Sequence, residues 1–244
     1  MNYQTATISQ QGGRNYNEDY CGTIALDNQL TCWVVADGLG GHGGGDVASK
    51  LAVETMLNTL NEQPDFEIDT VTLLFNEAQT ALIEAQKTAL RLDNMQTTAV
   101  VLLTYDNQAL WGHVGDTRLY YFHKGCIQRQ TSDHSVPQLL AKAGEIKITD
   151  IRFHEDRNRL LRSIGSEGLV RPYIEKTTTP LYSGDAFLLC TDGFWEYVFE
   201  NEMEDDLAKV TTAEEWLFAM EQRLLARAPE RNDNYTATAI KVLS

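Results

Sequence analysis

The sequence predicts an α+β fold, and three observations carry that prediction. Strand-like segments gather near the start, in the middle and towards the end of the chain instead of alternating one for one with helices. The first helical segment is followed by a second helix, not by a strand. Residues 97–131 hold four consecutive strand-like runs joined by short polar turns. A doubly wound parallel sheet would need strand and helix in regular alternation.

Taken in order, residues 3–9, 20–26 and 31–36 read as short strands, and 45–60 and 69–91 as helices. In the second helix Val71, Leu74, Phe75, Ala78, Leu82, Ala85 and Ala89 recur at three- and four-residue steps, which makes one apolar face for core packing. TTAVVLLTY (97–105), ALWGHVG (109–115), RLYYFH (118–123) and CIQRQT (126–131) are expected to form an antiparallel meander. Residues 136–170 open with a short helical piece, SVPQLLAKAG, and then turn polar and charged, the composition of a loop or lid over a site. Strands are expected again at 173–179 and 185–191. A helix at 213–228 follows, entered through Thr212 with Glu215 three residues on, which fits a capping box. The last segment, YTATAIKVL (235–243), alternates like a strand.

No Pro-, Ser- or Gly-rich linker divides the 244 residues, so one domain over 1–244 is expected. Hydrophobic residues at 43% and charged ones at 23% are ordinary for a globular protein, which sets disorder and fibrous structure aside. The formal charge of −15 argues against non-specific nucleic-acid binding, because no basic field can replace phosphate counterions. MNYQTATISQQGGR has neither the basic start nor the apolar core of a signal peptide, and no apolar run approaches the ~18 residues of a membrane span. A cytoplasmic protein without membrane attachment is expected. Cys21, Cys32, Cys126 and Cys190 form no C-x-x-C pair and are read as reduced thiols packed as small hydrophobes.

The stretch VVADGLGGHGGGDVAS (34–49) carries Gly38, Gly40 and Gly43 at the G-x-G-x-x-G spacing. A dinucleotide turn would present its backbone N–H groups to a pyrophosphate, and Asp37 at its mouth would repel that ligand. The missing second strand of a βαβ unit weighs against it as well. TCWVVADG and AFLLCTDG instead look alike: each ends a buried-type run in Asp-Gly, at Asp37 and Asp192. ALWGHVGD ends in Asp116, and the last strand begins after Asp233-Asn234. Singly, an Asp-Gly pair is an ordinary turn. Together, carboxylates at the ends of several strands would repel one another without a cation, and such hard oxygen donors suit Mg2+ or Mn2+. Two such ions could hold a hydroxide nucleophile, since a bound metal lowers the pKa of water.

At this point the chain resembles the metal-dependent serine/threonine protein phosphatases of type 2C. The resemblance rests on RNYNED (14–19), VADGLGGH (35–42), TT (97–98), GDTR (115–118), TSDHS (131–135), LCTDG (189–193) and DNYT (233–236), in the family's order. It implies an α-β-β-α sandwich of two antiparallel sheets with a dinuclear Mn2+ or Mg2+ centre at one end. Asp37 would bridge both ions, the Gly38 carbonyl would bind one, and Asp192 and Asp233 the other. Glu18 and Asp19 would act through metal-bound water. Asp116 matches the residue that helps hold a third, weaker ion in bacterial members, together with Asp192. Arg14 matches the phosphate-binding arginine, whose guanidinium can grip two phosphate oxygens. His42 either serves as general acid for the leaving alkoxide or shapes its loop, and His134 looks structural. Residues 136–170 match the flap beside the cleft, where Arg157, Arg159 and Arg162 are read chiefly as solvated charge. The departures are Gln96 where the family has Gly, Leu39 for Met, and Thr117 and Thr191 for Ser.

The resemblance implies a monomeric phosphatase acting on phosphoserine and phosphothreonine proteins, with direct attack on phosphorus and no phosphoenzyme. Its partners would be a eukaryotic-like Ser/Thr kinase and, as in some bacteria, a forkhead-associated domain protein, including regulators of type VI secretion. Two other classes share features with it. A dinuclear-metal nuclease would use the same acids but should bring basic residues, and a phosphopeptide-binding module would keep Arg14 without needing the ligands.

Overall fold

The computed structural model describes residues 1–27, 29–40, 44–88 and 90–243; His42, with Gly41, Gly43 and Ala89, lies outside the described residues. In chain order the elements are β1 (Tyr3–Gln10), β2 (Asp19–Ala25), β3 (Thr31–Leu39), α1 (Gly45–Glu62), α2 (Ile68–Gln86), β4 (Gln96–Thr97), β5 (Ala99–Tyr105) and β6 (Gln108–Val114). There follow β7 (Arg118–His123), β8 (Cys126–Gln130), α3 (Val136–Ala143), β9 (Tyr173–Ile174), β10 (Thr179–Pro180), β11 (Ala186–Cys190), α4 (Asp192–Trp195), α5 (Glu200–Leu207), α6 (Ala213–Arg227) and β12 (Tyr235–Val242).

One sheet runs β1-β12-β11-β7-β8 and the other β10-β6-β5-β3-β2, with β4 paired to β3 and β9 to β6. Every pairing is antiparallel. Period-two alternation explains why the central strands read as unbroken apolar runs. In β3, Cys32, Val34 and Ala36 pack into the core under α1 and α2, whereas Trp33 and Val35 pack between the sheets. In β11, Leu188 and Cys190 face the core under α5 and α6, and Phe187 and Leu189 face the other sheet. The result is the α-β-β-α order, with three apolar layers separating four structural ones.

Several elements differ from the sequence expectation. The four runs of 97–131 form two hairpins in different sheets, not one meander: β5 pairs β6, and β7 pairs β8. The chain crosses between sheets at Gly115, Asp116 and Thr117. Gly115 takes φ +96°, and a Cβ there would overlap the Thr98 side chain, so glycine is what permits the crossing. A link this short looks like a hairpin turn in sequence. The second helix stops at Gln86 instead of 91, where the Gln86 Nε2 donates to the Met95 and Gly165 carbonyls at 2.9 and 2.7 Å. The expected strand 173–179 is two short pieces, β9 and β10, and α4 and α5 were not anticipated. All four cysteines are free, but Cys126 is exposed, so only the others pack as hydrophobes. Among the described residues no helix is long and apolar enough to cross a membrane.

Candidate metal centre and active-site cleft

The sheets deliver their carboxylates to one end. Arg14, Glu18, Asp37, Gly38, Asp116, Asp192 and Asp233 all line a single cleft of about 410 Å³, with Asn158 and Leu160 of the flap on its rim. Asp19 lies just behind it, opposite Asp37 in the β2–β3 register.

Backbone placement comes from close approach at glycine. A Cβ on Gly38 would overlap the Gly45 carbonyl at the start of α1, and one on Gly193 would overlap the Asn234 carbonyl. Each Asp-Gly pair is thus a contact between segments, which is more than the turn role open to it in sequence. Asp37 is fixed through its own peptide: its carbonyl accepts from Thr97 Oγ1 at 2.7 Å and Thr98 N at 2.9 Å. Thr98 is in turn hydrogen-bonded to Thr117, beside Asp116. Asn234 staples the first loop to the last strand. It accepts from Glu18 N at 2.8 Å and donates to the Gln11 and Tyr16 carbonyls at 2.8 Å each. Thr191 Oγ1 donates to Asp19 Oδ2 at 2.9 Å, so the hydroxyl kept by Thr in place of Ser is used.

The electrostatics are those of negative charge held out of water. Burial, then the charge of Asp192, pushes Asp37 well above the usual carboxylate range, and the same causes act on Asp116. Burial also raises Asp19 and Asp192, and to a lesser degree Glu18. Arg14 Nη2 pairs with Asp233 Oδ2 at 2.6 Å, on the cleft itself.

This donor set fits divalent cations. It is all oxygen, and Asp19 Oδ1 is buried with no hydrogen-bond partner. Burying such groups unpaired is costly, and a hard cation would offset the repulsion. Among the described residues no three carboxylate, His or Cys side chains already close into a cage. An open arrangement of that kind suits ions that retain several waters.

The flap arginines keep the solvent exposure expected of them, Arg159 and Arg162 being exposed and Arg157 half-buried, and two of them also find partners. Arg157 Nε pairs with Glu196 Oε1 at 2.7 Å, and Arg162 donates to the Arg171 carbonyl at 3.0 Å, while Arg159 is exposed. Gln96, the departure from glycine, accepts from Ser163 Oγ at 2.6 Å at the flap base. His134 has the structural role expected: its ring accepts from Gly115 N at 3.2 Å and stacks on His113. Sequence reasoning missed Asn234, Arg152 and Trp195. The Trp195 indole donates to the Asp116 carbonyl at 3.0 Å, and only its place three residues after Asp192 hinted at a role.

Comparison with known proteins agrees with the fold. The protein phosphatase 2C family model matches residues 9–234. The chain is 33% identical over 207 residues to the serine/threonine phosphatase Stp of Listeria monocytogenes, covering 83% of this chain and 81% of that one. The solved catalytic domain of the serine/threonine protein phosphatase PstP, in complex with two manganese ions, is similar with a TM-score of 0.82 at 25% identity, covering 99% of each chain. PppA of Pseudomonas aeruginosa, described as a key regulatory component of its type VI secretion system, is similar with a TM-score of 0.75 at 28% identity, covering 98% of this chain and 97% of that one.

Proposed function

Because the chain belongs to the protein phosphatase 2C family and is thereby a metal-dependent serine/threonine phosphatase, we propose that it dephosphorylates phosphoserine and phosphothreonine proteins in the cleft that its aspartates share. The observation that carries this is the convergence of Asp37, Asp116, Asp192 and Asp233 on one cleft with the Arg14 guanidinium. Asp37, the Gly38 carbonyl, Asp192 and Asp233 would hold two Mn2+ or Mg2+ ions, with Glu18 and Asp19 acting through water and Asp116 with Asp192 at a third ion. Bound there, the cations supply a water of lowered pKa as nucleophile and neutralise charge on the phosphoryl oxygens.

The protein's own groups do the rest. Arg14 grips the phosphate and orients it for in-line displacement. Asp37, held through its carbonyl by Thr97 and Thr98, keeps the nucleophile's side of the cleft rigid. The leaving alkoxide takes a proton, with His42 as the candidate donor. Asn158 and Leu160 bring the flap to the rim, where it would read the residues around the phosphorylated side chain. The cellular setting that fits is a monomer in the cytoplasm opposing a bacterial Ser/Thr kinase. The likeness to PppA supports a phosphoprotein of type VI secretion control, such as a forkhead-associated domain protein, as one substrate to test.

Purified protein is assayed on p-nitrophenyl phosphate and a phosphothreonine peptide with Mn2+, Mg2+ or EDTA, beside Asp192→Asn. Metal-dependent turnover that EDTA abolishes and the variant nearly loses is the expected result. A folded, metal-loaded protein that turns over neither substrate would sink the proposed chemistry.

A further inference from the structure

Trp195 stands between two of the proposed ligands. It closes α4, the four-residue helix that Asp192 opens, and it is buried at 1% exposure. Its Nε1–H donates to the Asp116 carbonyl at 3.0 Å. One side chain therefore ties the helix carrying Asp192 to the sheet-to-sheet crossing carrying Asp116.

Both the ring and the backbone of Trp195 are held, each by an arginine. The Arg118 guanidinium lies 3.4 Å from the indole centroid and is fixed by two bonds to Asp133, at 2.8 and 2.7 Å. Arg152, from the flap's 3-10 turn at Ile148–Phe153, donates to the Trp195 carbonyl at 2.5 Å and to the Val198 carbonyl at 3.3 Å. These bonds satisfy carbonyls that a short helix leaves unpaired at its end. An indole so confined presents its N–H at a fixed point. Filling the core would require only an apolar ring, whereas this donor is aimed at the backbone of Asp116.

We propose that Trp195 is a positioning residue for the third, weaker cation site: its indole N–H fixes Asp116 relative to Asp192 and so sets the spacing of the carboxylates that share the ion. This rests on the assignment of Asp116 and Asp192 as ligands made above. Trp195→Phe keeps a ring and deletes the donor. A second indole, Trp33, donates to Thr5 Oγ1 at 3.2 Å in the core between the sheets and serves as control.

The test is Mn2+ binding, followed by the EPR signal of free Mn2+ in titrations of wild type, Trp195→Phe, Asp116→Asn and Trp33→Phe, with melting of each in EDTA. Wild type should show a weak class of site beside the tight ones, and Asp116→Asn should lose it. Trp195→Phe should weaken that class by about three- to tenfold, the scale of one hydrogen bond, and leave the tight class alone. Trp33→Phe should bind as wild type. If Trp195→Phe does not fold, 3-benzothienylalanine at position 195 keeps the ring volume without the N–H and gives the same readout. A weak class lost in Asp116→Asn but at full affinity without the Trp195 donor overturns the role of Trp195 alone. Equal weakening in Trp33→Phe overturns it too. Absence of the weak class in wild type, or its survival in Asp116→Asn, removes the ligand assignment and this proposal with it.

Discussion

Arg14 Nη2 donates to Asp233 Oδ2 at 2.6 Å, joining the loop after β1 to the start of β12. The side chains are 55% and 36% exposed, so the pair adds less than about 1 kcal/mol to stability. Holding the fold is therefore not its main use. A cation at Asp233 would compete for that carboxylate and free the guanidinium for phosphate oxygens. Arg14→Gln should melt within about 2–4 °C of wild type. Its kcat/KM on a phosphothreonine peptide should fall roughly 10- to 100-fold, the loss of charged hydrogen bonds. Unchanged kinetics would remove Arg14 from the phosphate contact.

The buried carboxylates give the metal-free protein a defined pH slope. Burial, with the charge of Asp192, raises Asp37 and Asp116, and burial raises Glu196 to about 7. A carboxyl raised by folding keeps a proton that the unfolded chain has already released. Its stabilising contribution is complete below the unfolded value and is lost as pH climbs through the folded one. His113 and His134, lowered by burial, act in the opposite sense, but only below the ordinary value of 6.5. Melting temperature in EDTA should therefore fall from pH 6.5 to 8. Mn2+ should cancel much of that fall, and Asp37→Asn should flatten it. Scanning calorimetry across that range decides, and a Tm that rises with pH in EDTA would contradict the repulsion.

Much of the fold was legible because burial on both faces leaves a plain mark: β3, β5 and β11 read as unbroken apolar runs, and Asp37 and Asp192 stand at or near their ends. Those aspartates were found by the same signal. What failed depended on contacts between distant segments. Nothing local distinguishes the Gly115 crossing from a hairpin turn, so one meander was expected where two sheets share the strands. The α5 helix, ENEMEDDL, buries only Met203, Asp206 and Leu207, too sparse a face to mark a helix in so acidic a run. Asn234 acts on Gln11 and Tyr16, 223 and 218 residues away, and its part in the site becomes visible only once β1 pairs with β12.

Gly193 is where a small change should cost most for its size. Its missing Cβ is the space in which the Asn234 carbonyl sits, between α4 and the start of β12. Backbone cannot rotate away as a side chain can, so Gly193→Ala must separate Asp192 from Asp233. The expected cost is about 1–3 kcal/mol, the scale of overpacking, together with weaker Mn2+ binding. Urea denaturation and a Mn2+ titration measure the two effects. A variant of wild-type stability and wild-type affinity would mean that the segments are not in contact.

Arg118, two residues after Asp116, forms a buried ion pair with Asp133, 4% and 1% exposed at their side chains, with two bonds of 2.8 and 2.7 Å. Taking two charges out of water costs several kcal/mol each, so their attraction chiefly offsets desolvation. Removing one partner is then worse than removing both. Arg118→Met should destabilise by about 3–5 kcal/mol because it leaves the Asp133 carboxylate uncompensated, and Asp133→Asn should cost less, since Glu200 Oε1 stays 3.6 Å from the guanidinium. The double variant Arg118→Met, Asp133→Leu should recover a good part of that loss in urea denaturation. It should not recover full affinity for the weak Mn2+ ion, since Arg118 also lies against the indole that holds Asp116. A double variant less stable than either single one would show that the pair stabilises the fold outright, and full recovery of both properties would separate Arg118 from the metal site.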